Sequence, residues 1–403
     1  MNPDWWSLNI RHLRALSAVV AAGSVSGASA RVHLSQPALT QGIAKLEHLL
    51  GATLFERRSV GMAATEAGTL LAGRVDAAFE ELRAAFDAAG IARSRGSEAK
   101  VTSVQLRAFL SFAAAGSFAG AAAETGVAQA TLHRAVGDLE RLTGLGLYRR
   151  AGRGVQLSTE GRAVARGMRR AIAQIEAGLS EVEHLAGREV GVIRIGAMPL
   201  SRSALVPEAI ARFRRARPGI GVEVVDGAYA DLLERLKDGE VDFLIGALRG
   251  RDVDPAVAEE SLFDDRLSIV AGPNHPLVGA KRIGAAELAG FPWIVARPDT
   301  PHHRHWRRIF EDEGVKAPAN PVICSSVMAI RELLVLDDFL ALVSFDQVQR
   351  PVGVGHLAFL GPPVESTRRP IGLTTLAGFR PTAFQCEMLD LVRTIARERN
   401  SGN

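Results

Sequence analysis

Ser35-Gln36-Pro37-Ala38-Leu39-Thr40-Gln41 begins the stretch of sequence that decides the fold of the first part of the chain. Serine is a favoured helix N-cap, and a proline is tolerated in the first turn because the amides there have no partner within the helix. Apolar residues then recur at helical spacing up to a glycine, at Leu39, Ile43, Leu46, Leu50 and Gly51. The sequence therefore predicts a helix with one apolar face and a polar face.

Two shorter helices are predicted before it. An apolar stripe from Leu13 to Val20 forms the first, and Gly23-Ser24 ends it and caps the second, which runs over residues 25–32. A short helix, a tight turn and a capped helix bearing Gln, Thr and Lys are typical of a helix-turn-helix, whose second helix enters the major groove. The predicted DNA-binding residues of this unit are Ser35, Gln36, Pro37, Thr40, Gln41 and Lys45, with Arg57 and Arg58 as a basic wing. For any single residue, an ordinary solvated face is the alternative.

The same pattern returns later in the chain. A shift of 93 residues aligns residues 13–68 with 106–161 without a gap and with 20 identities in 56 positions. We call these segments copy one and copy two. Two copies with so long a period indicate a duplicated small domain and exclude a solenoid.

Copy two lacks some features of copy one. Ala128-Gln129-Ala130-Thr131 replaces the segment with the serine cap and the proline, and Gly137 interrupts the third helix. Its predicted DNA-binding residues are Gln129, Thr131, His133, Arg134, Arg150 and Arg153. Because their charge suits phosphates more than bases, we expect copy one to read sequence and copy two mainly to hold the DNA backbone or a neighbouring subunit.

A long proline-free helix is predicted after each copy, over residues 67–89 and 163–185, with a Gly/Ser/Arg-rich flexible joint at 90–100. Either helix can pair with its counterpart in another subunit, which predicts a homodimer or homotetramer; packing within the chain is the alternative. The predicted divisions are two winged domains at 9–66 and 103–160, linker segments at 67–102 and 161–188, and a C-terminal domain at 189–403.

Composition limits the possible partners and compartments. Residues 1–188 hold 22 Lys+Arg against 16 Asp+Glu, whereas the remainder holds 26 against 28, so the basic excess lies in the duplicated half. No apolar run is long enough for a transmembrane helix, and two cysteines exclude a disulfide scaffold. Arg11 to Ala30 passes for a signal peptide, but its duplicate lies in mid-chain. We expect a cytoplasmic protein that does not bind membranes.

The C-terminal half alternates between strands and helices. Strands are predicted at 192–196, 222–225 and 239–246, and helices at 205–215 and 229–237. Such alternation predicts a parallel α/β sheet, which binds ligands at the carboxyl ends of its strands.

The order of these motifs resembles that of LysR-type transcriptional regulators. Ser35-Gln36-Pro37-Ala38, Leu46-Glu47 and Leu54-Phe55-Glu56-Arg57 carry the resemblance in copy one, and Asn274-His275-Pro276-Leu277 contributes in the second half. The resemblance implies an α-helical half with winged helix-turn-helix domains and linker helices, and an α/β effector domain of two lobes like a periplasmic binding protein. Lobe I is expected at 189–267 and 361–403, and lobe II at 268–360.

The family resemblance also places an effector site. The implied effector-binding residues are Pro199, Ser201, Arg202, Ser203, Ala228 and Tyr229. Because the loop after the first strand leads into a helix N-terminus, we expect a small anionic effector between the lobes. A second copy of the winged domain departs from the usual family pattern and leaves its role open.

Other chemistry is sparse. His302, His303 and His305 can form a metal site, but a solvated loop is the favoured interpretation because no carboxylate or cysteine ligand is evident. Cys324 and Cys386 are interpreted as packed small hydrophobic residues, with a redox-sensing thiol as the alternative. The sequence contains no evident catalytic motif and no expected metal or cofactor. It predicts a transcription regulator that binds double-stranded DNA under the control of an effector and is not an enzyme. The alternative is a solute-binding or enzymatic module whose helical domains serve protein contacts.

Overall fold

The duplicated half forms two winged helix-turn-helix units, each followed by a long helix. The structure, a computed structural model, describes residues 5–32, 34–58, 61–90, 96–151 and 154–401. The elements of copy one and its linker are α1 Ile10–Ala22, α2 Val25–Val32, α3 Gln36–Leu50, β1 Phe55–Arg58, β2 Gly61–Ala64 and α4 Glu66–Ala88. Those of copy two are α5 Ser103–Ala115, α6 Phe118–Thr125, α7 Gln129–Thr143, β3 Tyr148–Ala151, β4 Gly154–Leu157 and α8 Thr159–Leu185.

Equivalent contacts in the two copies hold each wing to its third helix and to the long helix that follows. The Glu47 carboxylate accepts a hydrogen bond from the Leu54 amide at 2.8 Å, and Glu140 accepts one from Leu147 at 2.8 Å in copy two. A Cβ at Gly68 or Gly161 would overlap the carbonyl oxygen of the same leucine, so only glycine allows the long helix to start this close to the wing. The equivalent residues explain why both copies keep one fold.

The two long helices pack against each other within the chain. One hydrophobic core runs from Leu8 to Val182 and includes residues of both copies, of α4 and of α8. The partner of each linker helix is therefore the other linker helix of the same chain. The linker helices thus pack within the chain, which was the alternative to pairing between subunits. The apolar faces of α4 and α8 that such pairing would use are already covered.

The C-terminal half is built on one nine-stranded sheet. Its strands are β5 Val192–Ala197, β6 Gly221–Asp226, β7 Phe243–Ala247, β8 Val257–Ala271, β9 Trp293–Val295, β10 Val322–Ile323, β11 Leu340–Ser344, β12 Ala358–Phe359 and β13 Val364–Leu376. Its helices are α9 Leu205–Ala216, α10 Tyr229–Lys237, α11 Ala285–Leu288, α12 Pro301–Glu311, α13 Val327–Leu336, α14 Phe345–Gly353 and α15 Ala383–Ser401.

The sheet is mixed rather than parallel throughout, so the expectation of a parallel sheet was only partly right. The strand order is β10-β9-β11-β8-β13-β7-β5-β6, with β12 on β8. β5 pairs in parallel with β6 and β7, and β9 with β10 and β11, whereas β8 and β13 are antiparallel to their neighbours. The two long strands run through the middle of the sheet and join the two parallel groups.

Separate hydrophobic cores lie at the two ends of the sheet. One cluster, from Ile193 to Ile395, packs α9 and α15 on the β5 end, and another, from Leu267 to Leu360, packs α12 on the β9 end. Along β8 the change falls between Phe263, which packs on the first cluster, and Leu267, which belongs to the second. The domain therefore has two lobes connected by β8 and β13.

In the described part of the chain, no single helix is long and apolar enough to cross a membrane. The pair Ser103–Ala115 and Phe118–Thr125 meets the length and composition criteria together, but it bends by 114°. Phe109, Phe112 and Phe118 of this pair lie in the shared core of the two copies.

Candidate nucleic-acid interface and ligand groove

The start of α3 is a capped and exposed helix end. The Ser35 Oγ accepts a hydrogen bond from the Ala38 amide at 3.4 Å. The side chains predicted to bind DNA are all exposed around this end: Ser35, Gln36, Pro37, Thr40, Gln41 and Lys45. The Thr40 hydroxyl donates to the Gln36 carbonyl at 3.0 Å, so in the free protein its oxygen remains available as an acceptor. These residues form one polar surface.

Copy two presents a similar surface without the cap. Ala128 makes no side-chain hydrogen bond at the start of α7. Gln129, Thr131, His133, Arg134 and Arg150 are exposed. Arg153 lies outside the described residues, as do the side chains of Arg57 and Arg58. The structure thus brings the described candidates of copy two together on and beside α7.

The His133 ring is held by an aromatic cluster. Its centroid lies 5.0 Å from that of Phe118, and its Nε2 lies 3.4 Å from the Tyr148 hydroxyl. Part of the ring therefore supports the wing, which leaves Arg134 and Arg150 as the freer cationic groups of this surface.

His12 supports α3 from below, which the sequence did not indicate. A Cβ at Gly42 would lie 3.0 Å from the His12 Cδ2, so the helix rests close to this ring. Burial, together with the nearby Lys45 ammonium, lowers the pKa of His12. A neutral imidazole thus underlies the exposed face of α3 at neutral pH.

The residues predicted to bind an effector differ in their accessibility. Ser201 is buried, and its hydroxyl is within 2.7 Å of the Ile245 carbonyl oxygen. Arg202 is exposed but pairs with Asp226 at 2.6 Å. Tyr229 lies under the Arg249 guanidinium, 4.1 Å from the ring centroid. Ser201 thus serves the loop itself, and the charge of Arg202 is already compensated.

Pro199 and Ser203 lie closer to the other lobe. The Pro199 carbonyl accepts a hydrogen bond from the Gln347 amide of α14 at 3.1 Å, and this bond joins the two lobes. Ser203 lines a groove of about 650 Å³ between α9 and α14. Ala228 and Tyr229 do not line it, so the groove joins only part of the predicted effector set.

Arginines dominate the groove. It is lined by Ser203, Ala204, Pro207, Glu208, Ala211, Arg212, Arg215, Asp346, Gln349, Arg350 and Arg399. Arg212 and Arg399 pair with Glu208 at 2.6 and 3.0 Å, whereas Arg215 and Arg350 are exposed and form no ion pair within the described part of the chain. Sequence reasoning missed these arginines because they lie on helices that are far apart along the chain.

Two acidic groups beside the groove, Asp265 and Asp346, connect elements of the effector domain. Asp265 is buried and accepts hydrogen bonds from Ser344 at 2.8 Å and from Arg369 at 3.0 Å. Asp346 pairs with Arg399 at 2.6 Å, and burial raises the pKa of its carboxyl group despite this partner. These contacts connect β8, β11, β13, α14 and α15.

The three clustered histidines lie on a helix, so their interpretation as a solvated loop was wrong. Thr300 caps α12, and His303 Nδ1 lies 3.1 Å from the Ala296 carbonyl oxygen. Burial, with the nearby Arg369 and His305, lowers the pKa of His302 to about 4. Across the described residues, no group of three or more His, Cys, Asp or Glu side chains has a geometry suited to a metal ion.

The two cysteines also differ. Cys324 is partly buried and packs on the core of lobe II, as expected for a small hydrophobic residue. Cys386 is exposed, so its interpretation as a packed residue was wrong; it lies on α15, whose core-facing side chains are Met388 and Val392.

Winged helix-turn-helix units joined to a two-lobed α/β domain define a class of DNA-binding regulators that carry a ligand-binding domain. Family models match both parts: "LysR substrate binding domain" over residues 186–396, and "Bacterial regulatory helix-turn-helix protein, lysR family" over residues 10–69 and again over 104–162. The chain belongs to the LysR family of transcriptional regulators.

Similar proteins agree with this assignment. The chain is 28% identical over 391 residues to the "HTH-type transcriptional regulator GalR" of Pseudomonas putida, covering 97% of this chain and 98% of that protein. It is 31% identical over 281 residues to the "SDS degradation transcriptional activation protein" of a Pseudomonas species, covering 68% and 90%. The first alignment spans both helix-turn-helix segments. Because the relatives are transcriptional regulators, the protein is a regulator and not an enzyme.

Solved structures share the fold. A full-length OxyR variant from Pseudomonas aeruginosa aligns with a TM-score of 0.52 at 20% identity, covering 73% of this chain and 94% of its own. Full-length LysG from Corynebacterium glutamicum, solved with bound effector Arg, aligns with a TM-score of 0.51 at 18% identity, covering 73% and 98%. The helical half and the mixed-sheet domain are thus those of LysR-type regulators.

Proposed function

We propose that copy one reads DNA bases through the start of α3. The observation that carries this proposal is the Ser35-capped helix end, where Gln36, Thr40 and Gln41 are exposed on one surface. Glutamine recognises adenine edges, and a serine or threonine hydroxyl can bond to several bases. Pro37 sets the start of the helix, and Lys45, with Arg57 and Arg58 in the wing, contacts phosphates.

Copy two contacts mainly the DNA backbone in this proposal. Its exposed cations Arg134 and Arg150, with Arg153, suit phosphates, whereas Gln129, Thr131 and His133 contribute weaker base contacts from an uncapped helix. A cytoplasmic location follows from action on chromosomal DNA.

A gel-shift assay tests DNA binding. Full-length protein is mixed with fragments of its own genome, and log affinity is plotted against log salt concentration. Phosphate contacts release counterions, so affinity is expected to fall linearly, and Arg150→Ala is expected to reduce the slope by about one. Gln41→Ala is expected to blur sequence preference without changing the slope. Absence of binding at low salt would contradict the proposal.

The effector is proposed to be a small anion bound between the lobes. Its site is the arginine-lined groove beside Ser203, together with Pro199 and the loop of Ser201 and Arg202. Four arginines face two carboxylates there, so the groove carries an excess of positive charge that favours an anion. Ala228 and Tyr229 do not line this groove, and Tyr229 packs under Arg249, so these two residues are outside the proposed site.

A thermal-shift screen with small aliphatic and aromatic carboxylates tests this site. A carboxylate that binds the folded state raises the midpoint of unfolding. The double variant Arg215→Ala/Arg350→Ala is expected to abolish the shift, whereas Arg282→Ala, an exposed arginine elsewhere on lobe II, is expected to retain it. A shift that survives the double variant would place the site elsewhere.

A homodimer or homotetramer is proposed to form through the effector domain. Each linker helix already covers the other, whereas apolar side chains are exposed on the edge strand β10 and on α13: Val322, Ile323, Met328, Val335 and Leu336. Edge strands with exposed apolar groups favour pairing with a second copy. Sedimentation is expected to show more than the 42.9 kDa of one chain. Leu336→Glu is expected to shift the protein toward that mass, whereas Val104→Glu, at an exposed position of α5, is not.

A further inference from the structure

The contacts between the two linker helices, α4 and α8, come in pairs: each contact has an equivalent in which the residues of copy one and copy two have changed places. A Cβ at Gly178 would lie 3.0 Å from the Cβ of Arg74, and a Cβ at Gly167 would overlap that of Ala85. The repeat shift of 93 residues makes Gly167 the equivalent of Arg74 and Gly178 the equivalent of Ala85. α4 and α8 are therefore antiparallel and related by a local two-fold axis, as in an isologous dimer interface.

The same exchange relates the starts of the two copies. Arg14 of copy one donates to the Ala99 carbonyl at 3.4 Å, and its equivalent, Arg107, lies 5.5 Å from the centroid of the Trp6 ring. Trp6 and Ala99 are themselves equivalent positions. The Arg14–Ala99 and Arg107–Trp6 contacts are therefore a second pair related by the same local two-fold axis, in addition to the pair between α4 and α8.

Ile10 and Ser103 locate that axis. These residues are equivalent under the repeat, and the Ile10 amide lies 3.4 Å from the Ser103 Oγ. Equivalent residues contact each other only where a two-fold axis passes between them. The axis therefore runs between the starts of α1 and α5.

The helix interface nevertheless fits only unlike partners. Arg74 is buried and forms a bidentate pair with Glu181, with Nη2 to Oε1 at 2.6 Å and Nε to Oε2 at 3.0 Å. A pair of two α4 helices would place an arginine where Gly167 now makes room for Ala85. A pair of two α8 helices would leave two glycines in contact positions and Glu181 without its arginine. The sizes and charges of the contact residues thus favour pairing of α4 with α8 over pairing of two identical helices.

We propose that a single chain is a complete reader of two DNA half-sites, and that the two half-sites differ in sequence. This inference rests on the proposed DNA-binding function. The local two-fold axis places α3 and α7 as the two recognition helices of a dimeric reader, which normally requires two chains. Because α3 carries Thr40 and Gln41 where α7 carries His133 and Arg134, the operator has unlike halves rather than a palindrome.

Chemical cross-linking tests the pairing within the chain. Glu81 and Arg170 form a part-exposed ion pair across α4 and α8 at 2.7 Å. Glu81→Cys/Arg170→Cys is prepared in full-length protein that also carries Cys324→Ser and Cys386→Ser, and it is treated with a short bismaleimide. The cross-linked product is expected at the mass of one chain.

Two results would overturn the pairing. A covalent dimer would show that α4 pairs with α8 of another chain. Absence of any product would show that the helices do not pack in solution, provided that each single-cysteine variant reacts with a maleimide dye.

Selection from a random duplex pool tests the reading of two unlike half-sites. The probe carries a randomised segment of roughly 40 base pairs, which accommodates half-sites up to about three helical turns apart. The enriched motif is expected to have two different halves. Gln41→Ala is expected to reduce discrimination at one half about 5- to 150-fold, the range for loss of one good base contact, and Gln129→Ala, which removes a weaker base contact of copy two, is expected to reduce discrimination only at the other half.

Failure of this inference differs from failure of the proposed function. A palindromic motif whose two halves both respond to Gln41→Ala would mean that copy one of two chains reads both half-sites, and it would overturn the inference alone. A chain that cross-links internally but enriches no motif would contradict DNA binding itself, and the reading of half-sites with it.

Discussion

Copy one and copy two share their internal contacts but not their surfaces. Glu47 and Glu140 hold the wing in the same way, and Thr65 and Ser158 both cap the following helix and bond to an equivalent carbonyl. Among the exposed positions proposed to contact DNA, Thr40 and Gln41 are replaced by His133 and Arg134, and the cap of the third helix is lost in copy two. The duplicated domain thus keeps the residues that its fold needs and diverges at exposed positions of its third helix.

The two linker helices have also diverged, and their contact positions now differ in size in a complementary way. Arg74 in α4 corresponds to Gly167 in α8, and Ala85 corresponds to Gly178, so bulk on one helix meets a glycine on the other. Two copies of α4 would place Arg74 against Ala85, and two copies of α8 would place Gly167 against Gly178. In neither pair would a larger side chain meet a glycine. Divergence of the copies therefore made the internal pair more specific.

The largest expected effect comes from removal of the buried cation between the helices. Arg74→Ala leaves the partly buried Glu181 carboxylate without its partner and also removes the hydrogen bond to the Arg380 carbonyl at 2.8 Å. Breaking a buried ion pair on one side costs about 3–5 kcal/mol. Urea unfolding followed by circular dichroism is expected to show a loss of this size.

The matched control is an exposed pair in copy two. Arg141 pairs with Asp138 on the surface of α7. Exposed pairs contribute about 0–1 kcal/mol, so Arg141→Ala is expected to have little effect. Equal losses in the two variants would show that the helix interface is not a buried, specific contact.

The next effect tests the fit of glycine against alanine. Gly167→Val places a branched side chain against Ala85 and the Glu81 carbonyl oxygen. Overpacking of this kind costs about 1–3 kcal/mol. Thermal unfolding is expected to show a destabilised variant that retains its helical content, and an Ala85→Gly change in the same chain is expected to restore part of the loss. An unaffected midpoint would contradict close packing of α4 on α8.

A smaller effect distinguishes the third helices of the two copies, α3 and α7. Ser35→Ala removes the cap of α3 and is expected to cost about 1 kcal/mol, whereas Ala128→Ser supplies a cap to α7 and is expected to gain a similar amount. Hydrogen exchange of the first helical turn in each variant measures the effect locally. If Ala128→Ser left the start of α7 unchanged, the missing cap would not explain the difference between the copies.

The smallest effect concerns the glycine inside α7. Within the described part of the chain, a Cβ built at Gly137 has no neighbouring atom within 4 Å beyond the adjacent residues and the backbone of its own helix. Glycine is about 1 kcal/mol less favourable than alanine in a helix interior, so Gly137→Ala is expected to stabilise copy two by about 0.5–1 kcal/mol. Denaturant unfolding measures this gain. A loss instead of a gain would reveal a close neighbour at this position.

Local signals made much of the helical half predictable. The cap at Ser35 and the glycine at position 51, whose φ of 58° suits a residue without a side chain, bound α3 as the sequence indicated. α2 covers residues 25–32, as predicted, and α8 ends at the predicted Leu185. These boundaries depend on neighbouring residues in the chain, which is why one sequence sufficed.

The candidate sites were predictable only in part. Exposed polar residues on an amphipathic helix, such as Gln36 and Gln41, follow from helical periodicity. The roles of Ser201 and Arg202 did not follow, because the hydrogen bond of Ser201 to the Ile245 carbonyl and the pairing of Arg202 with Asp226 are contacts across the fold. Arg215 and Arg350 meet in one groove only after the two lobes come together.

The sequence by itself determined the duplicated winged domain, the family and the helix ends, because period, caps and motifs act over short distances along the chain. Tertiary structure alone decided that α4 pairs with α8 of the same chain, and that the sheet is mixed, because β8 and β13 cross between the lobes. Periodicity shows that a helix has an apolar face, but it does not show which other element packs against that face. That choice depends on size and charge at Arg74, Ala85, Gly167 and Gly178, which lie far apart in sequence and meet only in the folded chain.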